Sequence, residues 1–193
     1  MARPRKFDEE RAVDAAMEAF WTAGYEATST QDLCDATGLG RSSIYNAFKS
    51  KHDLFQRALG RYLETKTASL TELLESDLPA REKVRAMLER IVEEECAHAE
   101  DGRGCLFVNT AVELAARDAE VARELERDYR RRLEALTAAL EAGQRDGDID
   151  TAKDARTLAH FVAAAIGGMR VSARAGIGRA ALEGIARTTV DAL

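Results

Sequence analysis

The sequence predicts an all-α protein in two parts, a three-helix head over residues 1–52 and a larger helical body over 53–193. Three observations carry that prediction. The chain has 2 prolines in 193 residues and is rich in Ala, Leu, Glu and Arg, the residues a helix tolerates best. Its apolar residues recur three and four apart and nowhere alternate as a half-buried strand requires. Short glycine-bounded segments crowd the head, whereas the body is made of long ones.

The elements follow in order. Acidic residues open DEERAVDAAMEAFWTAGY, where the positive end of a helix dipole favours them. Val13, Ala16, Met17 and Phe20 form one stripe, and Gly24 is placed to stop the helix. In TSTQDLCDATG, either Thr28 with Gln31 or Ser29 with Asp32 fits a capping box. A short helix to Thr37 then stops at Gly38. After GLG a second short helix spans residues 41–48, KSK breaks it, and Asp53 begins a long helix carrying Leu54, Phe55, Ala58, Leu59, Tyr62 and Leu63. Pro79 suits the first turn of a helix reaching His98. EDGRG is a loop, and residues 105–116 form a short apolar helix. A charged amphipathic helix over 118–142 is stopped by GQRDGD, and an apolar one over 152–175 by AGIG. The last helix, 179–193, puts Leu182, Ile185, Ala186, Thr189 and Val190 on one stripe.

The first two short helices with their glycine turn read as a helix-turn-helix. A DNA major groove, about 12 Å wide, admits one helix, which must show polar side chains while its other face sits in a small core. Residues 41–48 meet that demand. Ile44 and Phe48 lie four apart and can pack inward on Leu33 and Phe20, leaving Arg41, Ser42, Ser43, Tyr45 and Asn46 outward. Arginine pairs with guanine edges and asparagine with adenine edges, and Ser and Tyr suit phosphates. Lys49, Lys51 and His52 follow where backbone phosphates would lie. Between Gly38 and His52 there is no acidic residue, although the chain's net charge is −6. The alternative is a solvated polar helix between two core elements. RPRK, at residues 3–6, is either an arm that follows DNA or a tail.

Residues 15–59 resemble the N-terminal domain of the tetracycline-repressor (TetR) family of bacterial transcription regulators. The resemblance lies in F…GY.ATS before the first short helix, GL in the turn, S.IY..F in the second helix and K.DLF after it. Two residues depart from the family pattern: Cys34 stands where alanine is usual, and Gly40 where a larger polar residue is common. The resemblance implies an all-α homodimer on a near-palindromic operator, most often as a repressor. Half-sites would lie about one DNA turn apart or somewhat more. DNA contacts map onto Ser29, Thr30 and Gln31 of the first short helix, onto Arg41, Ser42, Ser43, Tyr45 and Asn46 of the second, and onto Lys49 and Lys51.

The resemblance also implies that the body senses a small-molecule inducer and forms the dimer. Candidate pocket residues are Met87, Ile91, Phe107, Val108, Tyr129, His160 and Phe161, each of which could equally be plain core. AHFVAAAIGGMRV is apolar on more than one face, so both faces need cover. Leu158, Phe161, Val162, Ala165 and Met169 can face the core. Ala164, Gly167, Gly168 and Val171, with Ile185 and Thr189 of the last helix, can face a second subunit. A monomer with a buried central helix is the other reading. GCL at residues 104–106 resembles a family branch that includes sensors of electrophiles. Cys105 at a helix start, beside Arg103, has the setting that favours a thiolate; its alternative is a small packed residue.

Other classes find little support. The start of the sequence has no apolar signal core, and its longest apolar run, FVAAAIGGM, is far below the roughly 20 residues that span a bilayer. With 3 cysteines the expectation is a cytoplasmic protein with reduced thiols. No phosphate-cradling glycine loop, nucleophile elbow or helix-borne HExxH is present, so no enzyme and no cofactor is expected. Cys96, His98 and Cys105 match no zinc spacing, and no metal is expected. The competing class is a helical bundle, enzyme or interaction protein, that does not bind DNA.

Overall fold

In a computed structural model, residues 9–98 and 102–193 are described; RPRK, residue 99 and the first two residues of EDGRG lie outside them. Every regular element among the described residues is a helix. The first four are α1 (Glu9–Ala23), α2 (Thr30–Thr37), α3 (Arg41–Ala47) and α4 (Lys51–Glu75). The body adds α5 (Ala80–Ala97), α6 (Leu106–Leu114), α7 (Ala119–Asp146), α8 (Ala155–Arg174) and α9 (Arg179–Asp191). The chain divides into two compact units between Glu64 and Thr65. This division falls inside α4 and not at its start, because Leu54, Phe55, Ala58, Leu59, Tyr62 and Leu63 are all buried.

The N-terminal unit is held by an aromatic core. Phe20 of α1 meets Phe55 of α4 edge-on at 5.1 Å, and Tyr25 lies 4.8 Å from the same ring. Such pairs add to the area they bury. Ile44 and Phe48 are buried with Leu33 and Phe20, so α3 is anchored by the residues its spacing selects. Arg57–Glu9 and Arg61–Asp14 are exposed ion pairs and stabilise little. The long helix starts at Lys51, before the expected Asp53. The Ser50 hydroxyl accepts from the Asp53 N–H at 3.0 Å, making Ser50 the cap and Asp53 a residue of the first turn.

The C-terminal unit packs α8 against α7 and α5, and α9 against α5 and α8. Its core runs through Val84, Leu88, Leu140, Val162, Met169 and Leu182. Helix starts are set by carboxylates. Asp118 accepts from the N–H groups of Glu120 and Val121, and Asp154 from that of Thr157, so α8 begins at Ala155 and not at residue 152. α6 begins after Cys105, which occupies its N-cap position.

The expected stop of α7 at Gly143 is not where the helix ends. α7 continues to Asp146 and stops at Gly147, whose φ of 79° is the left-handed value that favours glycine. Gly143 is buried, and a Cβ there would collide with the Cβ of Ala80 and come within 2.7 Å of Ile149 Cγ1. Glycine is required there for closeness, not for a turn.

Two charged clusters in this unit are built around the largely buried Arg170, Glu95 and Asp128. The Arg170 guanidinium donates to Glu95 Oε1 at 2.6 Å and to Glu94 Oε2 at 3.0 Å, and Lys66 Nζ donates to Glu94 Oε1 at 2.7 Å. Asp128 pairs with Arg132 and Arg131 and accepts from the Thr67 hydroxyl at 2.7 Å.

Candidate functional site

The head presents α2 and α3 joined by one turn. Of the two capping boxes the sequence allows, Ser29–Asp32 forms: Ser29 N–H donates to Asp32 Oδ2 at 2.7 Å, and Asp32 N–H to Ser29 Oγ at 3.1 Å. The hydrogen bonds from the Ser29 hydroxyl and backbone hold the Asp32 carboxyl below its ordinary value. Thr28 instead is buried and donates to the Gly24 carbonyl at 2.6 Å. Gly38, at φ 68°, ends α2, and Gly40 occupies the N-cap position of α3 without a capping side chain.

Arg41, Ser42, Ser43, Tyr45 and Asn46 are all exposed, whereas Ile44 is 1% exposed and Phe48 fully buried. A seven-residue helix held by one face is a poor helix in isolation; here the core fixes it and leaves its polar side to solvent. The Tyr45 hydroxyl lies 3.2 Å from the Thr30 hydroxyl, tying α3 to α2, and the Arg41 guanidinium sits 6.0 Å from the Tyr45 ring. The hydrogen bond with Thr30, more than the nearby Arg41 cation, holds the phenol below its ordinary value.

The remaining expected contacts divide. Ser29, Gln31 and Lys49 are exposed and Thr30 is half-buried. Gln31 already donates to Asp35 at 2.9 Å. Lys51 sits 4.5 Å from the Tyr25 ring centre and donates one hydrogen bond to the Glu26 carbonyl at 3.4 Å.

The C-terminal unit encloses a cavity of about 180 Å3. Five of the expected pocket residues line it: Met87, Ile91, Phe107, Val108 and Tyr129. The other two do not. His160 stands beside Tyr129, its Nδ1 3.1 Å from the tyrosine hydroxyl, and Phe161 is 44% exposed on the outer face of α8. Cys105 is buried and lines the cavity. The charged lining, Lys66, Arg90, Glu94, Arg132 and Arg170, went unread in the sequence. Lys66, Arg90, Glu94 and Arg132 lie in charged, surface-like stretches and Arg170 in an apolar one, and no local pattern marks any of them.

α8 carries an outward stripe at helical spacing: Phe161, Ala164, Gly168 and Val171 are all exposed. Ile185 of α9 is exposed as well. Two residues expected on this face lie elsewhere. Gly167 lines the cavity, and Thr189 is 2% exposed, its hydroxyl donating to the Ile185 carbonyl at 2.8 Å. A threonine that satisfies its own hydroxyl within a helix turn can be buried, and Thr189 belongs to its own subunit's core. Among the described residues, no helix is long and apolar enough to cross a membrane.

Comparison with known proteins covers both units. Residues 12–58 match the family model of bacterial regulatory proteins of the tetR family, and residues 80–189 match that of the tetracyclin repressor-like C-terminal domain. The HTH-type transcriptional repressor ComR of Escherichia coli K12 is 32% identical over 188 residues, spanning 97% of this chain and 90% of that protein. The HTH-type regulator YezE of Bacillus subtilis 168 is 34% identical over 166 residues, 84% of each chain. A cysteine-substituted form of the regulator CifR, in complex with a 26-base-pair operator DNA, aligns with a TM-score of 0.86 at 31% identity. The alignment covers 98% of this chain and 99% of that one.

Proposed function

The chain belongs to the TetR family of bacterial regulatory proteins, and from that membership we propose that it is a repressor holding a near-palindromic operator as a homodimer. That it is a helix-turn-helix transcriptional regulator follows from the family; the operator, the dimer and the inducer are the proposal. One observation supports the contact map above the others. α3 divides cleanly into a buried apolar side and an exposed side carrying Arg41, Ser42, Ser43, Tyr45 and Asn46. Ser29, Thr30 and Gln31 would flank them at the start of α2, with Lys49 toward the phosphates. The complex of the relative CifR with a double-stranded operator supports the same mode of binding.

Selection of bound duplexes from a random DNA pool gives the operator and its symmetry. On that duplex Arg41→Ala and Tyr45→Ala are each expected to weaken binding about five- to 150-fold. The logarithm of affinity falls linearly with the logarithm of salt concentration. Unchanged affinity in both variants would remove the contact map.

The dimer would form on the exposed stripe of α8, with Ile185 of α9 beside it. Small residues at 164 and 168 let a second helix approach, and Phe161 and Val171 supply apolar area. Val171→Glu is expected to sediment as a monomer with the helical circular dichroism of the wild type. A Val171→Glu dimer would place the interface elsewhere.

The inducer would occupy the cavity and release DNA by binding the non-DNA state more tightly. Cys105 lies in the same cavity wall, so alkylation of its thiol is a second route to the same shift. N-ethylmaleimide is then expected to release DNA from a variant lacking Cys34 and Cys96 but not from Cys105→Ser. Equal release from both would end the covalent route.

A further inference from the structure

Four cations line the cavity wall: Lys66, Arg90, Arg132 and Arg170. The carboxylates paired with them are Glu94, Glu95 and Asp128. Among the described residues, Arg90, which is exposed to solvent at the cavity wall, is the one of these four with no carboxylate paired to it. Lys66 and Arg170 share Glu94, Arg170 also holds Glu95, and Arg132 is paired with Asp128. The hydrogen bond of Arg90 goes to the neutral hydroxyl of Ser69, at 2.6 Å. A guanidinium has five N–H donors in a planar fork, and that bond uses one of them.

The rest of the cavity is apolar, with Leu70, Met87, Ile91, Leu133 and Leu136 on its walls. A cavity of about 150 Å3 lined by such side chains takes up benzene, so 180 Å3 sets the body of a ligand at about one ring. Burial pushes the Glu94 carboxyl up, yet Lys66 and Arg170 outweigh it and hold the group below its ordinary value.

On the reading that this cavity is the effector site, we propose that its ligand is a monocarboxylate with an apolar body of about one ring. The carboxylate is held by Arg90 at the cationic wall. A carboxylate and a guanidinium form two parallel, charge-assisted hydrogen bonds, which a neutral amide cannot reproduce. An ammonium in the same place meets Lys66 and Arg90 as like charges.

Calorimetric titration of the full chain with 4-ethylbenzoate, 4-ethylbenzamide and 4-ethylbenzylamine tests this. The expected order is benzoate at least about tenfold tighter than amide, with the amine weakest. Arg90→Gln is expected to weaken the benzoate about tenfold and leave the amide unchanged, because the variant keeps a donor for Ser69 and loses only the charge and the fork. Amide or amine binding as tight as benzoate, no binding of any of the three, or an unaltered benzoate affinity in Arg90→Gln would each overturn the proposal. Release of labelled operator duplex separates it from the effector reading. Benzoate that binds selectively while DNA stays bound removes the effector role and keeps the ligand class. Equal release by amide and benzoate does the reverse.

Discussion

Arg170→Ala is expected to lose about 3–5 kcal/mol of stability, lowering the melting midpoint by about 10 °C. The guanidinium joins α8 to α5 through Glu94 and Glu95, and both Arg170 and Glu95 are largely shut off from water, at 11% and 5% side-chain exposure. Removing the cation leaves the near-buried Glu95 without this partner and Glu94 with Lys66, and that lost compensation is the costly part. Two further measurements separate charge from lost packing. The double variant Arg170→Met, Glu95→Leu is expected to regain most of the loss, since an apolar pair of similar volume replaces the ionic one. The pH dependence follows from Glu94. Its folded-state carboxyl lies below the ordinary value of 4.5, so its contribution is present above that pH and is lost as pH falls through the folded value. The gap between wild type and Arg170→Ala should therefore narrow in acid. A double variant no better than the single one, or a gap that widens in acid, would remove charge as the cause.

Gly143→Leu is expected to cost about 3 kcal/mol or more, against the rule that replacing a mid-helix glycine by a better helix former stabilises by about 1 kcal/mol. The Cβ of any replacement would collide with Ala80 at the start of α5, and its next nearest neighbour is Ile149. Gly143→Ala tests the same contact more gently. Its loss should be recovered in part by Ala80→Gly, which removes the colliding atom. A stabilised Gly143→Ala would show that α5 and α7 can part without cost, contrary to their packing.

Gly143 also shows where sequence reading reaches its end. A glycine followed by Gln, Arg and Asp looks the same whether it stops a helix or lets another backbone approach. The distinction is made by Ala80, far away in the chain. The head was legible because its determinants are local. The Ser29–Asp32 cap, the left-handed Gly38 and the spacing of Ile44 and Phe48 all act within one or two turns. In the body, periodicity found the two faces of α8, but Phe161 fell to the outer one and Gly167 to the cavity. The stripe of α9 sets Thr189 beside Ile185 as a contact residue, yet Thr189 is buried and bonds its own helix. The cationic wall was out of reach altogether, because Lys66, Arg90, Arg132 and Arg170 come from four helices and meet only when those helices pack.

The hydroxyl pair between Thr30 and Tyr45 means that the two short helices do not contribute separable shares of binding energy. Thr30→Val would slacken Tyr45 as well as remove its own hydroxyl, and Tyr45→Phe would do the converse. Scanned one at a time, the two would charge the same loss to DNA twice, and only a thermodynamic cycle between them would restore the true sum.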